Sequence, residues 1–222
     1  MKTLAIFDFD GTLFTKDTLP YIGKAWKNQT TNNFRYYLIY LGITPALILY
    51  KLKIISRKTL KSWAVHKFHK IFQNMREEEI QKLFYSAFLL IKPYFNPIII
   101  NEIKIAKKEG LHTVLLSGCY TGLLKIIAED LGIDTVLGMA LPFKDGKFNS
   151  QAPIPFINGE EKQKLLAMAF RTENIDWQRS RSYADSITDL PILRPVGEPV
   201  AVNPEPQLLK FAKDNQWRIL RG

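Results

Sequence analysis

The chain begins with an apolar run that ends in two aspartates, and this arrangement limits the fold more than any other feature of the sequence. Leu4 to Phe7 are all apolar, Asp8 and Asp10 follow, and a Gly-Thr pair comes directly after them. A short apolar run of this kind is typical of a strand buried in a parallel sheet. Side chains two positions apart on a strand point the same way, so the two carboxylates are predicted to lie side by side. Like charges at that distance call for a cation or a shared proton.

Two further predicted strands and one helix start also carry polar groups. Leu111–Leu116 is an apolar run that ends in Ser117-Gly118, whose hydroxyl and backbone amides can hold phosphate oxygens. Lys162 opens a helical pattern and offers a mobile positive charge that suits a phosphate or a carboxylate. A short strand pattern ends in Asp185, and Asp189 follows four positions later. Because ligands bind at the carboxyl ends of parallel strands, these groups are predicted to meet at one edge of the sheet.

The four fragments resemble, in order, the motifs of the haloacid dehalogenase superfamily of phosphohydrolases. Asp8-Phe9-Asp10-Gly11-Thr12 matches the first motif, and the overall pattern is similar to the subgroup that includes phosphoserine phosphatase, subfamily IB. The resemblance implies a phosphatase that works through an aspartyl phosphate, with Asp8 as the nucleophile and Asp10 as the general acid and base. It also implies binding of Mg²⁺ as cofactor. The implied phosphate ligands are Ser117, Gly118 and Lys162, and the implied metal ligands are Asp8, the backbone carbonyl of Asp10, and Asp185, with Asp189 close behind them.

Strand and helix patterns alternate through most of the chain, which predicts an α/β fold. Residues 1–14 and 100–222 are predicted to form a Rossmann-like core, a parallel sheet flanked by helices, with a short hairpin between Leu141 and Ser150. Residues 15–99 show helical periodicity only, and we call them the cap segment. The resembling subgroup carries a helical cap at the same place. An inserted helical cap domain is therefore expected, closing over Asp8 and excluding water.

The charge of the chain is concentrated in the cap segment. The 222 residues carry a formal net charge of +10, and all of it falls between residues 15 and 100, with 14 basic against 4 acidic residues. Within that segment, Tyr36 to Tyr50 contains no charged residue and is too short to span a bilayer, for which about 20 residues are needed. Two interpretations stay open for this stretch: the packed interior of the cap, or a face that rests on an anionic membrane. Nucleic acid is not an expected partner, since a cap interior needs aromatic residues too.

The substrate is the least determined feature. The resemblance places Asp17 where phosphoserine phosphatases bind the substrate amine, although Gly11 stands where those enzymes commonly have serine, and Arg57 is a candidate for a substrate carboxylate. A small phosphorylated metabolite such as phosphoserine or histidinol phosphate is therefore expected. A phosphatidylglycerophosphatase-like enzyme with a basic, membrane-facing cap is the alternative, and a non-catalytic phosphate-binding module is a third. The single cysteine and the lack of a signal peptide predict a cytoplasmic protein, and the basic cap leaves a peripheral location at the inner membrane face open as an alternative. The pattern leaves the oligomeric state open.

Overall fold

Six parallel strands form the central sheet of the computed structural model, which describes residues 1–30 and 33–222 apart from the side chain of Arg57. A separate antiparallel hairpin, Phe143–Lys144 with Lys147–Phe148, comes in the sequence between the third and fourth strands of this sheet. In chain order the strands are β1 Leu4–Phe7, β2 His112–Tyr120, β3 Thr135–Met139, β4 Phe143–Lys144, β5 Lys147–Phe148, β6 Arg181–Ala184, β7 Glu198–Val202 and β8 Arg218–Leu220.

The strand order β3-β2-β1-β6-β7-β8 places a topological switch point between β1 and β6. β1 pairs with β2 on one side and with β6 on the other, in parallel register, with Phe7 opposite both Leu115 and Tyr183. The chain runs from β1 to β2 and β3 on one side of this point and then crosses to β6 on the other side, so a crevice forms outside the carboxyl ends of β1 and β6. That crevice is where ligands of such sheets bind.

Helices cover the sheet and fill the cap segment. Those of the described residues are α1 Thr18–Gln29, α2 Phe34–Lys51, α3 Arg57–Phe68, α4 Glu77–Ile91, α5 Pro97–Lys108, α6 Thr121–Leu131, α7 Gly159–Ala169, α8 Leu190–Leu193 and α9 Pro206–Asp214. Their starts follow from local chemistry. The side chains of Ser56, Asn96 and Asn158 each accept a hydrogen bond from a backbone N–H in the first turn of the helix that follows.

The apolar core is continuous from the sheet into the cap segment. All four residues of β1 are fully buried, and Phe7 stacks on Tyr183 with ring centroids 4.5 Å apart. The same buried cluster includes Ile22 of α1 and Leu83 of α4. Burial of each such side chain contributes about 1.5–3 kcal/mol, which holds the cap helices against the sheet. The hairpin adds backbone bonds to the cap segment, since Phe148 N donates to Met75 O over 3.0 Å.

The predicted fold class is confirmed by this sheet and by its flanking helices. The sequence pattern did not indicate β8 or the four-residue α8. The division into a core and a cap domain stays a prediction, and residues 31 and 32 of the predicted cap lie outside the described residues. No helix among the described residues has both the length and the apolar character needed to cross a membrane.

Candidate active site

The carboxyl ends of β1 and β6 bring two of the predicted aspartates to the switch point. Asp8 follows β1 directly, and its backbone N–H donates to Tyr183 O over 3.0 Å, which continues the pairing with β6. Asp185 follows β6 directly, and both carboxylates are buried. The chain then turns sharply at Gly11, whose φ of +87° favours glycine. A Cβ at Gly11 would overlap the carboxylate of Asp185, so the turn brings backbone and carboxylate into direct contact.

Lys162 joins two of the carboxylates. It lies in the first turn of α7, and its Nζ donates to Asp8 Oδ1 and to Asp189 Oδ1, each over 2.7 Å. All three side chains are more than nine-tenths buried. Burial alone would lower the pKa of Lys162, but the carboxylates of Asp189 and Asp8 raise it above its usual value. Lys162 is therefore a fixed positive charge in the centre of the site. Burial raises the pKa of Asp189 to about 6, and Lys162 acts against this shift.

The carboxylates fit a divalent cation. Asp8, Asp185 and Asp189 each offer one oxygen, and these oxygens lie within 4.8 Å of one another. Carboxylate oxygens are the ligands that Mg²⁺ prefers in proteins. With the ammonium of Lys162 among them, the three acids carry a formal net charge of −2, which one divalent cation balances. Asp189 stands in this cluster together with Asp8 and Asp185.

Asp10 lies beside the cluster in a different environment. Burial raises its pKa to about 6, while the ammonium of Lys61 and a hydrogen bond from the hydroxyl of Thr18 act in the opposite direction. Thr18 is the first residue of α1 and is buried. A carboxyl with a pKa near neutrality can both donate and accept a proton, and the hydroxyl fixes its orientation.

Ser117 and Gly118 lie at the end of β2, where the pairing with β3 is interrupted by a bulge. The register shifts between Leu116 and Tyr120, and within the bulge the backbone N–H of Cys119 donates to Ser117 Oγ over 3.2 Å. A bulge re-aims side chains and frees backbone groups at the strand end. Gly118 packs so closely on the chain before α7 that an added Cβ would lie 2.8 Å from the backbone oxygen of Ile157. Burial raises the pKa of Cys119, which keeps that thiol neutral.

Asp17 stands at the mouth of the site rather than inside it. Its side chain is largely exposed, and its carboxylate lies 3.3 Å from Nζ of Lys61, which extends from α3 of the cap segment. The side chain of Arg57 lies outside the described residues. Thr18 and Lys61 were missed in the sequence. Thr18 follows Asp17 directly at the start of a helix, and this position could have suggested it. Nothing in the sequence distinguishes Lys61 from the other lysines of the cap segment.

Comparison with known proteins identifies the family. The model of the haloacid dehalogenase-like hydrolases matches residues 5–194, which includes every aspartate of the site. This chain belongs to that family. Among its relatives, a histidinol-phosphatase from Neisseria meningitidis serogroup C is 28% identical over 99% of both chains. A phosphoserine phosphatase from Mycobacterium tuberculosis is 29% identical, in a match that covers 50% of this chain and 36% of that protein. The family and these relatives identify the chain as a phosphatase, as the sequence predicted.

Solved structures support the same fold. A phosphoserine phosphatase solved with bound substrate superposes with a TM-score of 0.67 at 18% identity, covering 99% of this chain and 93% of that one. A protein of unknown function from Bordetella pertussis gives a TM-score of 0.81 at 18% identity, covering 99% and 98%. At these identities the likeness concerns the fold.

Proposed function

We propose that this protein is a Mg²⁺-dependent phosphomonoesterase in which Asp8 attacks the phosphorus and forms an aspartyl phosphate. The observation that supports this most directly is the contact of Lys162 with Asp8 beside Asp185 and Asp189. Lys162 orients the Asp8 carboxylate by donating to its Oδ1 over 2.7 Å, as a nucleophile requires. As the phosphoryl group arrives, the same ammonium and the Ser117 hydroxyl bind its oxygens, so charge that develops in the transition state meets preorganised donors.

Asp10 is the proposed proton carrier. In the first step the protonated carboxyl gives its proton to the leaving alcohol, and in the second the carboxylate takes a proton from the attacking water. Its pKa of about 6, raised by burial, makes both forms accessible near neutral pH. The Thr18 hydroxyl orients the carboxylate by donating to its Oδ1. The cap segment, through Lys61, adds a positive charge near this carboxyl.

Mg²⁺ is the proposed cofactor, held by Asp8, Asp185, Asp189 and the backbone carbonyl of Asp10. When bound, it neutralises negative charge on the phosphoryl oxygens and allows two anions, the carboxylate and the phosphate, to approach each other. The buried cluster with formal charge −2 supports a divalent cation rather than a monovalent one.

The proposed substrate is a small phosphate monoester that carries an amine, of the phosphoserine or histidinol phosphate class. Asp17 offers a carboxylate at the mouth of the site, and its ion pair with Lys61 places opposite charges 3.3 Å apart. An amine can bind Asp17, and an anionic group of the substrate can bind Lys61. Two relatives named for these substrates add support. The relatives do not support the lipid-phosphate alternative, and a binding module would not require the full set of acids and Lys162.

A substrate panel tests this proposal. Mg²⁺-dependent phosphate release would be measured with phosphoserine, histidinol phosphate, phosphoethanolamine, an amine-free ester, nucleotides and lipid phosphates. We expect the amine-bearing esters to have a kcat/KM at least about 100-fold higher than the others, which is about 2.7 kcal/mol. Asp17→Asn should raise KM about tenfold for the amine-bearing esters and leave the amine-free ester unchanged. Release from lipid phosphates alone would overturn the proposed substrate class.

The Asp8→Asn variant tests the chemistry. Turnover should fall at least about 10⁴-fold, and acid quenching with labelled substrate should no longer trap a phosphoenzyme, because the amide is not a nucleophile. Asp214→Asn is the matched control, since Asp214 is an exposed residue at the end of α9. Substantial turnover by a pure, folded Asp8→Asn preparation would contradict the mechanism.

A further inference from the structure

Helix α2 of the cap segment is apolar on two opposite sides, and only one of them is covered. Ile39, Ile43 and Ala46 are buried against the neighbouring helices. On the other side lies a stripe of exposed apolar side chains, which we call the α2 outer face. It consists of Phe34, Tyr37, Leu38, Leu41, Pro45, Ile48 and Leu52. These positions recur every three or four residues, the spacing of one face of a helix.

The exposure of this face is large for a water-soluble surface. Leu41 is 68% exposed, Ile48 52% and Leu52, directly after the helix, 64%. Single exposed apolar residues are ordinary, but a contiguous stripe of several turns marks an interaction site. Only one side of α2 is therefore packed in the interior of the cap segment. The other side is available to bind a partner surface.

The stretch of sequence that contains the outer face carries basic residues and no acidic ones. From residue 18 to residue 76 the sequence contains 11 lysines and arginines and no acidic residue. Exposed Lys51 is the last residue of α2, exposed Lys53 follows two positions later, and exposed Lys58 stands near the start of α3. At the other end, Lys27 lies 5.6 Å from the ring centroid of Tyr37. The apolar stripe is thus bordered by positive charge at both ends.

We propose that the α2 outer face docks on an anionic lipid bilayer, with α2 lying in the plane of the interface. The aliphatic side chains enter the boundary between headgroups and acyl chains, and the lysines at its ends bind lipid phosphates. A second copy of this chain fits the face less well, because a two-fold contact would bring like-charged lysines together. The aliphatic centre of the face distinguishes it from a nucleic-acid surface, which binds bases through aromatic and polar groups. The inference is independent of the substrate.

Vesicle co-sedimentation of the full chain tests the docking. The probes are vesicles of phosphatidylcholine with 30% phosphatidylglycerol and vesicles of phosphatidylcholine alone. We expect binding to the anionic vesicles that weakens as salt rises, and about 100-fold weaker binding of the Leu41→Glu/Ile48→Glu variant. Lys51→Gln/Lys53→Gln should weaken binding by about 30-fold, from roughly fivefold for each basic residue. Met168→Glu is the control, since Met168 is 69% exposed on α7, away from the outer face.

The outcomes separate the possible occupants. Absence of wild-type binding to anionic vesicles, or undiminished binding of Leu41→Glu/Ile48→Glu, would overturn the proposal. A wild-type dimer that this double variant dissociates, without vesicle binding, would assign the face to a second copy. A second measurement needs no variant: vesicles should slow hydrogen exchange in residues 34–54 of the wild type, and unchanged exchange there would refute the docking. Turnover of a soluble ester should be the same in the variants as in the wild type, which shows that they are folded.

Discussion

Replacement of Lys162 by methionine should reveal how strongly one buried ammonium holds the active-site acids together. Lys162→Met keeps most of the side-chain length and removes two bonds of 2.7 Å, one to Asp8 and one to Asp189. Each hydrogen bond between charged groups contributes about 1.5–3 kcal/mol. When both hydrogen bonds are lost, two buried carboxylates are left without their positively charged partner. Protonation of Asp189, whose pKa burial already raises to about 6, relieves part of this cost. We therefore expect the free energy of unfolding to fall by about 3–5 kcal/mol.

The assay is urea unfolding at pH 7, followed by circular dichroism, in EDTA and again with Mg²⁺. In EDTA the full deficit should appear. With Mg²⁺ at about 100 times its dissociation constant, binding to the acids should raise the variant's free energy of unfolding by roughly 2.7 kcal/mol above its own value in EDTA. Lys164→Met is the matched control on the same helix, since its side chain is 74% exposed and stands 3.8 Å from Glu161. Its effect should be under about 0.5 kcal/mol.

A double variant distinguishes charge from packing. If stranded charge causes the loss, adding Asp189→Asn to Lys162→Met should recover about half of the deficit, because one of the two carboxylates is then neutral. If lost packing causes it, the second change should recover nothing. The reasoning is refuted if Lys162→Met, natively folded in EDTA, unfolds within about 1 kcal/mol of the wild type.

Three further changes test the surroundings of the site. Gly11→Ala should cost about 1–3 kcal/mol of stability and weaken Mg²⁺ binding in calorimetry, since φ is +87° and the new Cβ overlaps the Asp185 carboxylate; unchanged affinity would contradict the contact. Thr18→Val should lower kcat about 10–100-fold with little change in KM, because the Asp10 carboxylate loses its orienting donor. A rise in KM of that size with kcat unchanged would instead indicate that Thr18 acts in substrate binding. Hydrogen bonds donated by Arg218 and Tyr183 lower the pKa of Glu102 despite its burial. The contribution of Glu102 to stability is therefore present above the unfolded pKa of about 4.3 and is lost as the pH falls below it. Glu102→Gln should cost about 1–3 kcal/mol at pH 7 and less at pH 3.5 by urea unfolding, and a cost that does not depend on pH would exclude this ion pair as its source.

The parts of the fold that could be predicted are those with a local cause. The apolar run before Asp8 predicts a buried strand, and the structure has β1 at Leu4–Phe7. The same holds for β2, predicted from the apolar run that ends at Leu116. In contrast, β8 is only three residues long and Arg218–Leu220 carries no strand-length pattern. Its arginine pairs with Glu102, 116 positions earlier, and a contact at that separation has no local signal.

The candidate site divides in the same way. The acids at strand ends and Lys162 at a helix start could be predicted because parallel strands bring their carboxyl ends to one edge, and the structure places them together there. Their catalytic roles stay predictions. Lys61 could not be found, since it reaches Asp17 only through the packing of the cap helices. The sequence left open whether one side of α2 is exposed, because a helix that is apolar all round does not indicate which of its sides is covered.

The net positive charge of this chain lies in a different part of the sequence from the active-site residues. Outside the region between residues 15 and 100, basic and acidic residues balance at 17 each, and the buried acids and Lys162 of the site belong to that balanced part. The net charge of +10 therefore acts from the surface of the cap segment, where salt screens it within about 10 Å at 0.1 M. The buried Lys162 contacts are screened far less. Rising salt should thus release the protein from an anionic surface while the active site keeps its contacts, so the two properties can be measured, and can vary, independently.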